Sequence, residues 1–327
     1  MIVSLRVDAD PQAVKRELTA LGLWIASVER GLGSGGVQFV VAPHSTGVDP
    51  AQVAQIEGVG SVSVPVPEHP QIDQQGPQVM VKGHAIGGPR PTFMCGPCSV
   101  ESSEQIESIA ARVAPLGVTF LRGGAFKPRS SPYNFQGHGD PALTWMREAA
   151  TRHGLRVVTE VLSEHDVSAV AELADLIQIG SRNMQNFALL KRVGRAHKPV
   201  LLKRAMSATI EDWLLAAEYL LHHGASGVVL CERGIRGFDP STRNLVDLTA
   251  VALLAHVHRL PVIVDPSHGT GRRDLILPLS KAALAAGAAG VMIETHDDPG
   301  KALSDGPQAL RGDELQAVLT QLTEAAR

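Results

Sequence analysis

The feature that most constrains the fold is a cycle that repeats from Thr92 onward, in which a short apolar run is followed by an amphipathic stretch. Such alternation is typical of parallel strands joined by helices. The runs lie at residues 93–95, 119–122, 156–160, 176–179, 200–203, 228–231, 262–265 and 291–294, and helices are predicted at 104–116, 164–173, 210–223, 274–286 and 313–325. Eight strand–helix units close a (β/α)8 TIM barrel, and an open doubly wound sheet is the alternative.

The first 66 residues predict a second fold, because their pattern follows the order βαββαβ. Strands are expected at residues 2–7, 24–28, 37–42 and 61–66, and helices at 11–21 and 49–56, which is the ferredoxin-like arrangement. The glycine-rich residues 31–36 supply the turn between the middle strands. Residues 67–91 are rich in Pro, Gly and Gln, which predicts a linker with a short hairpin at Val79–Val81 and His84–Ile86. The expected α/β protein therefore has a ferredoxin-like domain at 1–66, a linker at 67–91 and a TIM barrel at 92–327.

Composition argues against two classes of partner. The net charge of −3 provides no basic field for wrapping nucleic acid, and aromatic residues, at 4%, are too few for base stacking. The longest apolar stretch, around residues 282–293, is shorter than the roughly 18 residues of a membrane-spanning helix. The N-terminal MIVSLRVDAD carries acidic residues where a signal peptide needs an apolar run, and three cysteines are too few for a disulfide framework. We expect a soluble cytoplasmic protein that binds neither membranes nor nucleic acid.

Residues of the types that bind metals follow three of the predicted barrel strands. Cys98 follows the first strand, His268 the seventh, and Glu294 ends the eighth, with Asp305 just beyond it. The carboxyl ends of barrel strands converge on one mouth, so these side chains are expected to lie together. A thiolate, an imidazole and carboxylates form a donor set for one divalent ion. A redox pair or inactivating disulfide between Cys95 and Cys98 is another use of this CxxC motif.

Cationic side chains form a second group at the predicted strand ends. Guanidinium and ammonium groups among glycines suit phosphate oxygens, and the loop LRGGAFKPRSSPYNFQG at residues 121–137 has this composition. The cations of the whole group are Arg122, Lys127, Arg129, Arg182, Lys203, Arg204 and Arg233. Several cations in one mouth of a net-acidic protein repel each other unless anions neutralise them. We therefore expect ligands with at least two anionic groups.

These residues carry a resemblance to a known family. From Phe93 to Leu310 the chain resembles the 3-deoxy-D-arabino-heptulosonate 7-phosphate (DAHP) synthases, specifically the type I beta branch with an N-terminal ferredoxin-like (ACT-like) regulatory domain. The shared strings are GPCSVE, LRGGAFKPRSSPYNFQG, VVTE, QIGSRNMQNF, LLKR, LCERGIR, VDPSHGTGRRD and KALSDG. The resemblance implies condensation of phosphoenolpyruvate with D-erythrose 4-phosphate, the entry step of the shikimate pathway. It also implies a homo-oligomer, either a tetramer or a dimer.

The resemblance implies roles for individual residues. Metal ligands for Mn²⁺, Fe²⁺, Co²⁺ or Zn²⁺ would be Cys98, His268, Glu294 and Asp305. Contacts to phosphoenolpyruvate would come from Arg122, Lys127, Arg182, Lys203 and Arg233, with Asp265 as a further substrate-binding residue. Erythrose 4-phosphate would be surrounded by Lys127, Pro128, Arg129 and Ser130. Proton transfer is expected from Lys127 or His268.

Three other functions remain open at this point. A sister synthase, 3-deoxy-octulosonate 8-phosphate synthase, uses arabinose 5-phosphate and carries an Asn-containing loop where this chain has Pro128-Arg129. A Schiff-base aldolase would use Lys203 as its nucleophile and would survive chelation of metal. A phosphosugar-binding regulator would bind the same ligands without turnover.

The N-terminal module also has two interpretations. By resemblance it would bind tyrosine or phenylalanine at a subunit interface and inhibit the barrel. It would otherwise be a structural or oligomerisation domain, because a fold does not imply a function. RNA recognition is disfavoured because the strands lack stacking aromatic residues.

Overall fold

The structure is a computed structural model that describes residues 1–30, 36–66, 68–128 and 131–325. Internal contacts divide the chain into two units, Met1–Glu68 and His69–Arg327. Residues 31–35 of the predicted turn lie outside the described residues, as do Arg129 and Ser130. No helix in the described part of the chain is both long and apolar enough to cross a membrane.

The N-terminal unit has the predicted order βαββαβ. Its elements are β1 (Ile2–Leu5), α1 (Pro11–Ala20), β2 (Ile25–Arg30), β3 (Val37–Val41), α2 (Pro50–Ala54) and β4 (Val59–Ser63). Among the described residues the strands form one antiparallel sheet in the order β2-β3-β1-β4. Both helices begin with Asp-Pro, and the side chains of Asp10 and Asp49 accept hydrogen bonds from backbone amides of the first turn. The helices pack on the sheet through Val14, Leu18 and Val53.

The segment predicted as a linker belongs largely to the second unit. Residues Pro70–Gln75 form α3, and the predicted hairpin is present as the antiparallel strands β5 (Val79–Val81) and β6 (His84–Ile86). The side chains of Val79, Val81 and Ile86 are buried against residues that point into the barrel, such as Met94 and Phe120. The hairpin therefore closes the N-terminal end of the barrel. The sequence predicted the hairpin, but its Pro- and Gly-rich surroundings gave no sign that it would be buried against the barrel.

The second unit contains the predicted barrel, and the open-sheet alternative is wrong. The barrel strands are β7 (Thr92–Gly96), β8 (Phe120–Arg122), β9 (Arg156–Val161), β10 (Leu176–Ile179), β11 (Pro199–Lys203), β12 (Gly227–Glu232), β13 (Val262–Val264) and β14 (Gly290–Glu294). Within the described residues they pair in parallel, and β14 pairs with β7 to close the ring. Strands that are covered on both faces are near-continuous apolar runs. This explains why the predicted bounds agree with the structure to within one residue.

Helices cover the outside of the barrel. They are α4 (Ser103–Val113), α5 (Asp140–Arg152), α6 (Val167–Leu173), α7 (Phe187–Gly194), α8 (Ile210–His222), α9 (Leu248–Ala252), α10 (Pro266–Thr270), α11 (Ile276–Ala285) and α12 (Gly312–Ala325). The helix predicted at 164–173 begins only at Val167, because Ser163 and Asp166 close a turn with a 2.7 Å hydrogen bond. The short helix α10 directly follows β13 and carries His268.

Candidate active site

A cavity opens at the carboxyl ends of the barrel strands. Arg122 and Lys203 are the last residues of β8 and β11, and Arg233 follows β12 directly. The cavity is lined by Arg122, Lys127, Pro128, Glu160, Gln178, Gly180, Ser181, Arg182, Lys203, Met206, Arg233, Arg243, His268 and Asp305. Active sites of TIM barrels lie at this face. The structure therefore brings five of the seven predicted cations, Arg122, Lys127, Arg182, Lys203 and Arg233, into one mouth. Arg204 does not line the cavity, because its guanidinium group pairs with Glu232 and Asp247 at 3.2 and 2.9 Å, and Arg129 lies outside the described residues.

Four predicted metal ligands meet at one side of this cavity. Ligand atoms of Cys98, His268, Glu294 and Asp305 all lie within 4.8 Å of one another. The Cys98 Sγ donates to Asp305 Oδ2 at 3.3 Å, and His268 Nε2 lies 3.2 Å from Glu294 Oε1. The backbone of Asp305 adopts the left-handed conformation, with φ of +48°, which is uncommon for a residue other than glycine.

Asp265 orients His268 from behind. Its Oδ1 accepts from the backbone N–H of His268 at 3.0 Å, and its Oδ2 lies 2.7 Å from His268 Nδ1. This leaves His268 Nε2 facing the other three ligand atoms, an arrangement common for metal-binding histidines. Asp265 Oδ2 also accepts from Lys203 Nζ at 2.5 Å. Asp265 is fully buried and does not line the cavity, so the structure places it behind residues that do.

The charges in the cluster suit a divalent cation. Burial opposes ionisation of Glu294, but the charges of His268, Arg122 and Lys127 bring its pKa down to about 2. Burial and the nearby Glu294 carboxylate raise the pKa of the Cys98 thiol to about 11, although Lys127 Nζ lies 3.0 Å from Cys98 Sγ. A divalent cation would stabilise the thiolate and neutralise the carboxylates. The donor set therefore fits a metal of the kind that accepts sulfur, nitrogen and oxygen ligands.

Two buried guanidinium groups have N–H groups that find no partner within the described parts of the chain. Arg122 donates from one terminal nitrogen to Pro97 O and Glu294 Oε1, each at 2.7 Å, but its Nε finds no partner among the described residues. One terminal nitrogen of Arg233 likewise has none in this part of the chain. Burial lowers the pKa of Arg233, and the neighbouring Arg243 and Arg182 lower it further. Buried donors without acceptors are costly, so the cavity is suited to anionic ligands.

The loop after β8 brings Lys127 between the cluster and the cavity. Its Nζ donates to the backbone carbonyl of Cys98 at 3.0 Å, and its side chain is largely buried. Pro128 lines the cavity beside it. Arg129 and Ser130, predicted to contact erythrose 4-phosphate, lie outside the described residues. Arg182 reaches the cavity from a 3₁₀ turn that follows β10.

Several residues at or near the site were not predicted as site residues, among them Gly180, Ser181 and Met206 of the cavity lining. Glu160 and Gln178 lie on β9 and β10 and point into the cavity, where Gln178 Nε2 donates to Glu160 Oε2 at 3.3 Å. Arg243 lines the cavity from the loop before α9, and Gln308 lies behind Glu294. Glu160 ends the string VVTE, which offered a signal at a strand end. Arg243 and Gln308 follow no strand and offered none.

Comparisons with known proteins indicate the family of this chain. The model of the DAHP synthetase I family matches residues 70–327. The chain is 51% identical over 241 residues to the phospho-2-dehydro-3-deoxyheptonate aldolase of Thermotoga maritima, covering 74% of this chain and 71% of the relative. It is 34% identical over 251 residues to the 2-dehydro-3-deoxyphosphooctonate aldolase of Acidithiobacillus ferrooxidans, covering 69% and 86%.

Solved structures give the same grouping. A crystal structure of the Thermotoga maritima DAHP synthase superposes with a TM-score of 0.77 at 39% identity, covering 99% of this chain and 96% of that one. A truncated form of the enzyme from the same organism superposes with a TM-score of 0.71 at 45% identity, covering 77% and 92%. The chain belongs to the DAHP synthetase I family.

Proposed function

We propose that this chain condenses phosphoenolpyruvate with D-erythrose 4-phosphate and water to give DAHP and inorganic phosphate, the first step of the shikimate pathway. One observation carries the proposal: a cluster of metal-ligand side chains lies against a cavity whose buried guanidinium groups have unsatisfied N–H donors. A divalent ion held by the cluster would suit an aldehyde oxygen, and the cationic side chains suit phosphate and carboxylate groups. Membership of the DAHP synthetase I family supports the same reaction.

Cys98, His268, Glu294 and Asp305 would hold one divalent ion, Mn²⁺, Fe²⁺, Co²⁺ or Zn²⁺. DAHP synthases are generally metal-dependent. A bound divalent cation supplies Lewis acidity toward an oxygen of the substrate.

The cationic residues of the cavity would bind and orient phosphoenolpyruvate. Its phosphate and carboxylate would accept hydrogen bonds from Arg122, Lys127, Arg182, Lys203 and Arg233. Fixed donors of this kind hold the methylene carbon toward the aldehyde at little cost in reorganisation. Arg129 and Ser130 are assigned to the phosphate of erythrose 4-phosphate by the resemblance of the KPRS run, and Pro128 shapes this side of the cavity.

The reaction forms one carbon–carbon bond and one carbon–oxygen bond to water, and it breaks the carbon–oxygen bond to phosphate. The methylene carbon of phosphoenolpyruvate attacks the aldehyde carbon, water adds to the cationic carbon left behind, and phosphate departs with the C–O electron pair. Lys127 would deliver the proton to the aldehyde oxygen, since its Nζ lies between the cluster and the cavity. Asp265 holds His268 in one orientation. We therefore assign Asp265 to positioning of His268 instead of substrate contact.

The 3-deoxy-octulosonate 8-phosphate synthase reaction is the second candidate. The 2-dehydro-3-deoxyphosphooctonate aldolase of Acidithiobacillus ferrooxidans is 34% identical to the chain. The run Lys127-Pro128-Arg129-Ser130 favours the four-carbon aldehyde, because the sister enzymes carry an Asn-containing loop there. Both aldehydes therefore belong in the assay.

The remaining assignments concern regulation and assembly. We infer that the N-terminal unit binds tyrosine or phenylalanine and inhibits the barrel, and that the protein is a cytoplasmic homotetramer or homodimer. Support comes from the βαββαβ order of that unit, which resembles the regulatory domain of this branch. A structural domain without a ligand would leave activity unchanged when either amino acid is added.

The test measures phosphate release from phosphoenolpyruvate with each aldehyde. We expect turnover with erythrose 4-phosphate that a chelator abolishes and Mn²⁺ restores. Cys98→Ala should abolish metal-dependent turnover, whereas Cys95→Ala should retain it, because Cys95 is equally buried but lies outside the ligand cluster. Absence of turnover by folded protein with any added divalent ion would exclude the synthase. Turnover that persists after chelation and is trapped by borohydride would favour a Schiff base on Lys203.

A further inference from the structure

Gln308 is a buried amide that lies directly behind a metal-ligand carboxylate. Its Nε2 donates to Glu294 Oε2 at 2.6 Å, while the other oxygen of Glu294 faces His268 and Arg122. Gln308 is only 3% exposed, so water does not compete for this contact. The amide therefore selects which carboxylate oxygen of Glu294 remains for a metal.

Gln308 also lies where the loop that carries Asp305 returns to β14. Its backbone N–H donates to Asp305 O at 3.1 Å, and Leu310 N donates to Glu294 O at 2.9 Å. One residue is thus tied by its backbone to one carboxylate ligand and by its side chain to the other. Movement of Gln308 would change the spacing between Glu294 and Asp305.

Arg243 fixes the orientation of the amide. A terminal nitrogen of Arg243 donates to Gln308 Oε1 at 3.1 Å and lies 3.8 Å from Asp305 Oδ1. Rotation of the amide by half a turn would place its oxygen against the Glu294 carboxylate and its NH₂ group against the guanidinium group. Both contacts would be repulsive, so the observed orientation is the favourable one.

We propose that Gln308 is a positioning residue for the metal site: it holds Glu294 with Oε1 toward the other ligand atoms and sets the distance from Glu294 to Asp305. The proposal rests on the proposed function, because it takes the four-residue cluster as the metal site. Partners behind metal ligands typically contribute about 10–100-fold to metal affinity. Gln308 is buried and does not line the cavity, so its effect should appear in metal binding before it appears in substrate binding.

The experiment compares the full-length protein with Gln308→Met, which removes the amide while keeping an unbranched side chain of similar length. Gln308→Leu is the second variant. Gln321→Met is the matched control, because Gln321 is exposed on α12 and bonds only a surface lysine, Lys281, among the contacts described. Binding of Mn²⁺ alone is measured by electron paramagnetic resonance of the free ion, and the Mn²⁺-induced shift in melting temperature gives a second measurement.

We expect Gln308→Met to weaken Mn²⁺ binding by about 10–100-fold. The Mn²⁺ concentration for half-maximal turnover should rise equally, while the KM for phosphoenolpyruvate at saturating Mn²⁺ stays within about twofold of wild type, and Gln321→Met should match wild type throughout. Wild-type affinity in both Gln308 variants, or an equal loss in Gln321→Met, would overturn the inference. Failure of the wild-type protein itself to bind Mn²⁺ would instead overturn the proposed metal site on which the inference rests.

Discussion

Asp265 offers the sharpest test of how the site is supported. One fully buried oxygen of this carboxylate, Oδ2, contacts Lys203 Nζ at 2.5 Å and His268 Nδ1 at 2.7 Å. In Asp265→Asn the amide oxygen can take the place of Oδ2 only if the NH₂ group faces the backbone N–H of His268, which donates to Oδ1. In the other orientation the NH₂ group faces Lys203 and His268 Nδ1. The ammonium group of Lys203 would lose its charged partner.

The magnitude follows from the burial of the pair. Removing one partner of a buried ion pair typically costs about 3–5 kcal/mol. Asn keeps an oxygen in the place of either Oδ2 or Oδ1, and each retained hydrogen bond is worth about 1 kcal/mol, so we expect a loss toward the lower end, about 3 kcal/mol. Lys203→Met in the Asp265→Asn background removes the unpaired charge and should recover at least about 1 kcal/mol.

The assay is urea unfolding at neutral pH with a chelator present, because a bound metal would add stability by mass action. Trp24 lies in the N-terminal unit, whereas the other two tryptophans, Trp145 and Trp213, lie in the barrel unit. A Trp24→Phe background therefore reports barrel unfolding by fluorescence. An Asp265→Asn barrel within about 1 kcal/mol of its parent, or a double variant that loses further stability, would refute the reasoning.

Three further predictions address other parts of the barrel unit. In Gly180→Ala the added Cβ would lie 1.9 Å from Glu160 Oε1, so the Glu160 side chain must move within the cavity. We expect kcat/KM to fall at least about tenfold, and an unchanged kcat/KM would contradict this prediction. Glu218 lies on α8, and its carboxylate accepts hydrogen bonds from the backbone amides of Gln71 and Ile72 in the first turn of α3. Glu218→Gln should lower the free energy of unfolding in urea by about 1 kcal/mol, and an unchanged value would show that this cap does not contribute to stability. Burial and the charge of Arg156 lower the pKa of His84, so the native state favours the neutral ring. The contribution of His84 to the free energy of unfolding is complete above the ordinary pKa of about 6.5 and declines as the pH falls below it. His84→Gln should therefore flatten the decline in stability between pH 7 and 5, and an unaltered slope would contradict this prediction.

The barrel was predictable from the sequence because its strands are buried on both faces. Runs such as 228–231 and 291–294 carry little besides apolar residues, so their bounds agree closely with β12 and β14. Helix starts were less predictable, as at Val167, where a side-chain hydrogen bond of Ser163 competes with the first turn. Residues 67–91 were predicted as a linker with a short hairpin, and the hairpin is present at the predicted residues. From His69 onward the segment groups with the barrel unit, because Pro and Gly can flank a buried hairpin as well as an exposed one.

The site was predictable where side chains follow a strand directly. Arg122, Lys203 and Glu294 end strands, and the geometry of a barrel alone brings them together. Gln308 and Arg243 approach from loops whose paths depend on tertiary contacts, so no local pattern indicates them. Asp265 was predicted to contact substrate. In the structure it is the N-cap of α10, where its side chain accepts a hydrogen bond from the backbone N–H of His268.

The hairpin of β5 and β6 decides where the catalytic part of this chain can be cut. A truncation after Glu68 keeps α3 and the hairpin with the barrel, whereas a truncation at Thr92 would remove Val79, Val81 and Ile86 and expose the apolar end of the barrel to water. The shorter fragment would expose an apolar surface and aggregate. The boundary for an isolated catalytic fragment therefore lies more than twenty residues before the first barrel strand, inside the segment whose composition resembles a dispensable tether.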